Sequence, residues 1–142
     1  MTPAEIRAAQ RVTGSAEPAL VEALHEAVER LWAAVPDVPP TDRMRFETAV
    51  VELATNIVRH TRPSGRRPVL ACAELRAVGH ALEATFEDDG VALDVDLAPP
   101  EPDDLAMSGR GLLLIQRAVD SLSFNRVGDR NVWQIARIYV PA

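Results

Sequence analysis

Apolar positions recur along this chain with two periods, and the switch between them divides it into elements. Leu20, Leu24, Val28 and Leu31, with Val35 just beyond, lie on one helical stripe of the run from Ala16 to Ala34. Pro18 stands where a first helical turn tolerates it, and the run PDVPP that follows stops the helix and turns the chain. A second helix is expected from a cap at Thr41 or Asp42 to about Thr61, with Phe46, Val50, Leu53 and Ile57 as its buried face. The period then shortens to two. Val69–Val78 and Ala81–Glu87 read as strands around a tight turn at Gly79-His80, and Leu122–Val127 and Asn131–Val140 as a closing hairpin across Gly128-Asp129-Arg130. Between the two pairs, Val91–Ser108 contains Pro99, Pro100 and Pro102 and reads as a long loop, followed by a third helix from Gly109 to about Ser121. Loops beyond about 12–15 residues inside a compact domain are usually functional lids or disorder.

Residues 1–15 fit either a first strand or a loose arm, and residues 16–142 form one expected domain. Two helices, two strands, a loop, a helix and two strands predict an α/β fold of the α+β type. It is a two-layer sandwich with an antiparallel or mixed sheet and helices on one face.

Composition narrows the function classes. A hydrophobic share of 47% with 25% charged residues is that of a globular domain with a core. The net charge of -6 argues against direct nucleic-acid binding, which needs clustered Lys and Arg. Arg62, Arg66 and Arg67 form a local basic cluster that reads as a solvated loop. Cys72 is the only cysteine, so no intrachain disulfide exists, and its place in VLACAEL predicts a small core residue. Trp32 and Trp133 are expected as core or interface anchors. No apolar run approaches the ~20 residues of a membrane span and no signal peptide is evident, so a cytoplasmic protein is expected.

Polar residues cluster at three points. Glu52, Asn56 and His60 occupy i, i+4 and i+8 of ELATNIVRH, with Asn56 about 90° from the buried stripe and Glu52 further round on the same side. The side-chain oxygen of Asn56 suits Mg²⁺, which takes few protein ligands and keeps several waters. Glu52 can act as a general base. On spacing alone, two solvent-facing residues of an amphipathic helix are the favoured reading. Asp88 ends a strand ahead of Asp89-Gly90; its carboxylate can accept from an exocyclic amine such as that of adenine, and Gly90 permits close approach. A turn acid with a turn glycine is the plainer alternative. Gly109-Arg110-Gly111 opens a helix, where glycines and N-terminal amides can cradle phosphate. Taken in order on one chain, these pieces make Mg-ATP the expected ligand.

The pattern E-x-x-x-N-x-x-x-H, then D-x-G-x-x-x-D, then G-x-G-L-x-L-I resembles the GHKL (Bergerat) ATP-binding superfamily. Within it the chain is similar, from about residue 15 to 140, to the bacterial anti-sigma factor serine/threonine kinases. The resemblance implies Asn56 as Mg²⁺ ligand, Glu52 as catalytic base, Asp88 at the adenine amine with Gly90 beside it, and Gly109, Arg110 and Gly111 at the phosphates. It makes the segment from about Ala92 to Ser108 an ATP lid. His60 matches the pattern in either a structural or a phosphate-proximal role. The implied partners are a sigma factor and a small anti-sigma factor antagonist, with no membrane; homodimerisation stays open. A non-catalytic module of the same fold, holding ATP or nothing and regulating by contact alone, is the alternative function. The chain departs from the family in three places. Val91 and Ala92 replace a second glycine, the lid is short and proline-rich, and NVWQIARI has no clear counterpart of a late threonine near the adenine.

Overall fold

The computed structural model describes residues 5–97 and 107–142. Strand β1 (Ile6–Ser15) is followed by helices α1 (Pro18–Ala34) and α2 (Pro40–His60), strands β2 (Leu70–Val78) and β3 (Ala81–Asp88), helix α3 (Met107–Ala118), and strands β4 (Ser121–Val127) and β5 (Arg130–Ile138). The five strands form one antiparallel sheet in the order β1-β2-β3-β5-β4, with the helices packed on one face. This is the expected two-layer α+β sandwich.

Alternation sets which face each strand buries. On β2, Ala71, Ala73, Leu75 and Ala77 point into the core, and on β3 Leu82, Ala84, Phe86 and Asp88 do. The alanines let the helical layer lie close to the sheet, where Leu24, Val28 and Leu31 of α1 and Phe46, Val50, Leu53 and Ile57 of α2 fill the interior. The outer face is polar, with Arg11, Glu74, Thr85 and Gln134 in register across four strands. Cys72 belongs to this outer face, half-buried, with the Thr13 hydroxyl 3.6 Å from its sulfur, and not to the core, because its neighbours Ala71 and Ala73 take the inward positions. Trp32 is a core anchor, edge-on to Phe46 at 6.0 Å.

Several boundaries move for identifiable reasons. The ambiguous first segment is an edge strand, paired to β2 along its length. Helix α2 starts at Pro40, ahead of both expected caps. Pro39 holds the cap position with extended backbone, and Pro40, lacking an N–H, leaves no donor there to satisfy. Asp42 is therefore free for another task and accepts from Arg137 Nε at 2.8 Å, joining α2 to β5. Helix α3 runs from Met107 to Ala118, so the Gly-x-Gly lies inside its first turns and the helix ends before Ser121. Asp120 diverts the chain into the sheet there, its backbone N–H donating to the Ala136 carbonyl and its carboxylate accepting from Ile138 N. Gly79 and Gly128 turn the two hairpins with φ of 57° and 60°, a conformation that favours glycine.

Candidate functional site

Strands β3 and β5 run side by side, and at one end they set Asp88 opposite Asn131. Both side chains are fully buried. Asp88 Oδ1 accepts two hydrogen bonds, from Gly90 N at 3.0 Å and Asn131 Nδ2 at 2.9 Å. Its Oδ2 is buried and has no hydrogen-bond partner among the described residues. An unsatisfied buried oxygen of this kind costs about 1–3 kcal/mol, and more if charged. Burial pushes the Asp88 carboxyl above the ordinary aspartate range. The bonds from Asn131 and Gly90 draw it back, nearby Asp89 pushes it up, and Arg126 pulls it down.

A second layer holds this turn in place. Asn131 Nδ2 also donates to the Val91 carbonyl at 2.9 Å, and Arg126 Nη1 donates to the Gly90 carbonyl at 2.8 Å and to Asn131 Oδ1 at 3.2 Å. Asp89 faces the other way and accepts from Leu70 N at 2.8 Å, anchoring the start of β2. The turn also presses on the end of α2. A Cβ at Gly90 would collide with the Thr61 methyl carbon and lie 2.9 Å from the Arg62 carbonyl oxygen, so glycine is needed for that approach. Val91 N donates to the same carbonyl at 2.9 Å.

Beside this network lies a cavity of about 180 Å³. Asn56, Ile57 and His60 of α2 with Thr61 just after it form one wall, Leu112 of α3 and Trp133 of β5 two more, and Leu93–Asp96 the cover. Its volume is below the ~300–1,000 Å³ that holds a whole drug-sized ligand, so it suits one ring system. Two of its lining residues carry buried polar atoms without partners among the described residues, Thr61 Oγ1 and Trp133 Nε1. Trp133 is thus a core residue that also faces the cavity, packed against Phe124 at 4.6 Å. The first part of the expected lid folds back on the core through Leu93, Val95 and Leu97, and Gln116 of α3 donates to the Leu97 carbonyl at 2.7 Å. The remainder of that segment, residues 98–106, lies outside the described residues.

The predicted residues come together in part. Gly111 meets Asn56 directly: a Cβ there would stand 3.0 Å from Asn56 Oδ1, so the glycine lets α3 cross over the carboxamide. Gly109 lies in the first turn of α3, whose amides have no intrahelical acceptor, and Arg110 follows it in the helix. His60 is exposed and lines the cavity. Glu52 does not line it. Half-buried one turn before Asn56, it opens onto a surface groove with His25, Met44, Glu47, Thr48 and Val51. Arg62, Arg66 and Arg67 are exposed on the loop after α2. The residues that sequence reasoning passes over are Asn131, Arg126 and Thr61. The strand register alone brings Asn131 to Asp88, and a polar residue at an inward-facing β5 position was the available signal.

A carboxylate with one satisfied and one open oxygen can accept a hydrogen bond from a ligand amine. A carboxamide near helix α3 can supply a metal with one oxygen ligand. The donors and acceptors present therefore fit a nucleotide with its magnesium ion. The sequence profile of the histidine kinase-like ATPase domain matches residues 14–136. No curated protein sequence matches the chain. Among solved structures, the RsbU and RsbW domains of Rv1364c from Mycobacterium tuberculosis superpose with a TM-score of 0.64 at 15% identity, over 95% of this chain and 34% of that one. The histidine kinase domain of the Erythrobacter litoralis EL346 blue-light activated histidine kinase superposes with a TM-score of 0.53 at 21% identity, over 84% of this chain and 59% of that one. This chain therefore spans less than two thirds of either, and at such identities the likeness is one of fold.

Proposed function

The chain belongs to the histidine kinase-like ATPase domain family, and from that premise we propose that it is an ATP-binding bacterial regulator, an anti-sigma factor that phosphorylates a serine or threonine of a small antagonist protein. The observation that carries the ATP reading is the buried Asp88 carboxylate, saturated at Oδ1 and open at Oδ2 beside a ring-sized cavity. The kinase and anti-sigma reading draws on the motif resemblance and on the fold likeness to a structure containing an RsbW domain.

Asp88 takes the exocyclic amine of the base. Asn56 would hold Mg²⁺, and Gly109, Arg110 and Gly111 would border the phosphates. Bound Mg-ATP supplies the transferable γ-phosphoryl group. Glu52, open to the surface groove, would accept the proton of the partner's hydroxyl as that oxygen bonds to the γ-phosphorus and the bond to the β-phosphate oxygen breaks, ADP being the leaving group. Among the described residues no helix is long and apolar enough to cross a membrane, and a cytoplasmic setting suits a protein that draws on ATP and a sigma factor.

One observation favours the second reading, a contact-only module of the same fold: Glu52 opens onto a groove apart from the cavity that Asn56 lines. Phosphate transfer from labelled ATP to the cognate antagonist, measured beside nucleotide binding, decides between them. A catalytic Glu52 means that Glu52→Gln loses about 10²–10⁴-fold in transfer while ATP still binds. Tight ATP binding without transfer by the parent protein selects the contact-only module. A melting curve unmoved by millimolar Mg-ATP rejects the kinase and any ATP-holding module, leaving only a contact module that holds no nucleotide, since ligand at 100 times its dissociation constant adds about 2.7 kcal/mol.

A further inference from the structure

Thr61 follows directly on α2, where its own N–H closes the helix on the Ile57 carbonyl at 3.1 Å. Its side chain is held from two sides. The methyl carbon packs against Gly90, and the hydroxyl is buried, faces no hydrogen-bond partner among the described residues, and belongs to a residue lining the cavity. The place a Gly90 Cβ would occupy touches that methyl and lies 3.1 Å from Asp88 Oδ1, so threonine and carboxylate flank a single point. A carboxylate with an open oxygen and a threonine with an open hydroxyl, each without a partner among the described residues, therefore flank Gly90, and the threonine lines the cavity.

We infer that Thr61 is a specificity-determining residue that reads the ring nitrogen next to the exocyclic amine, so that with Asp88 it selects adenine over guanine. The inference rests on the nucleotide reading above. A purine edge that matches an acceptor beside a hydroxyl donor must offer a donor beside an acceptor. Adenine does so with its N6 amine and N1. Guanine can offer its N1–H and O6 to the same pair, but it then brings an additional N2 amine into the buried site. The nearest acceptor for that amine, Asp88 Oδ1, already takes bonds from Gly90 and Asn131, which fill its two lone-pair positions. Guanine thus buries an unpaired donor and adenine does not. Asn131 acts here as a positioning residue, since it occupies the oxygen that a guanine would need. Trp133 Nε1 is a weaker candidate for the same role. Its residue is paired with Phe86, two positions along β3 from Asp88, whereas Thr61 adjoins the carboxylate itself.

The test is a binding titration of the protein with Mg-ATP, the Mg complex of 1-deaza-ATP, and Mg-GTP. The analogue keeps the amine and replaces N1 with C–H. The parent should prefer ATP to the analogue by about tenfold and bind GTP weakest. Thr61→Val keeps the methyl contact with Gly90 and should bind ATP and the analogue alike, while Thr61→Ser should restore the preference. A parent that does not distinguish ATP from 1-deaza-ATP overturns the inference without any variant, as does a folded Thr61→Val that retains the full preference. These failures differ from failure of the nucleotide reading: a parent that binds no nucleotide removes both, whereas ATP binding that is lost in Asp88→Asn but indifferent to N1 removes only the role of Thr61.

Discussion

The two ends of the central strands β3 and β5 are built on opposite terms. At the end near Ala81 and Ile138, Arg7 ties several polar groups together, although Arg76 Nε on neighbouring β2 is buried without a partner among the described residues. Arg7 donates to Asp37 at 2.7 Å, to the Tyr139 hydroxyl at 2.6 Å and to the Gly79 carbonyl at 3.3 Å, while the Ala142 N–H donates to the Asp37 carbonyl. At the end near Asp88 and Asn131, three buried polar atoms, Asp88 Oδ2, Thr61 Oγ1 and Trp133 Nε1, lack partners among the described residues. The first end fastens the strand β1, the turn between α1 and α2, the first hairpin and the C-terminal residues. The second gives up stability in the free protein and gains it back only when something supplies the missing partners. The contrast between these ends, together with the cavity between α2, α3 and β5, is what supports the proposed placing of the nucleotide.

The sharpest way to break the contrast is Asp88→Asn. Loss of a charged acceptor should weaken ATP binding roughly tenfold to a hundredfold. The free protein should melt no lower than the parent, because a neutral amide replaces a carboxylate that burial disfavours. A variant that binds ATP like the parent would make Asp88 a turn residue only. Next comes Gly90→Ala. The added carbon must displace Thr61 or the Arg62 carbonyl, which should cost about 1–3 kcal/mol of stability in chemical denaturation. An unchanged midpoint would show that the end of α2 yields freely and that the site is not held as tightly as its contacts suggest.

The smallest effect, at the exposed Arg7–Asp37 pair, has the most telling sign. The bond from Arg7 holds the Asp37 carboxyl below the usual aspartate range, while burial lifts Asp88 above it. The unfolded value for both is about 3.9. Asp37 therefore contributes stability that is fully present above that pH and disappears as pH falls through its depressed native value. Asp88 is the reverse case: the native state holds its proton longer, so stability falls as pH rises from the unfolded value through the raised native one. Denaturation curves between pH 2 and 7, a range chosen to span roughly both windows, should show Asp37→Asn less stable and Asp88→Asn at least as stable as the parent at neutral pH. Both differences should vanish in acid. Two differences of the same sign would erase the contrast between the ends.

Much of this architecture was legible in the chain. The stripes of α1 and α2 and the alternation of β2 and β3 follow from burying one face of each element, and hydrophobic period reports that directly. Strand β1 was ambiguous because, as an edge strand, it buries only Val12 fully and so shows little period; its identity comes from pairing with a strand about sixty residues away. The Asp88 turn could be seen because acid and glycine are adjacent in sequence. Its completion could not. Asn131, Arg126 and Thr61 reach it through sheet register and the close of a helix, and no local pattern encodes either. The late strand NVWQIARI carries no threonine, and it is Asn131 Nδ2 that reaches the Asp88 carboxylate from that strand.

The bond between Asp88 and Asn131 spans 43 positions of the chain, and it sets an order of events during synthesis. All three helices, β1 and the first hairpin leave the ribosome while the β3 edge is still open, with its backbone groups available to any passing strand. That edge closes only when the final hairpin inserts β5 between β3 and β4. A nascent chain therefore completes the hydrogen bonding of Asp88 only when β5 pairs, in the same step that covers the β3 edge.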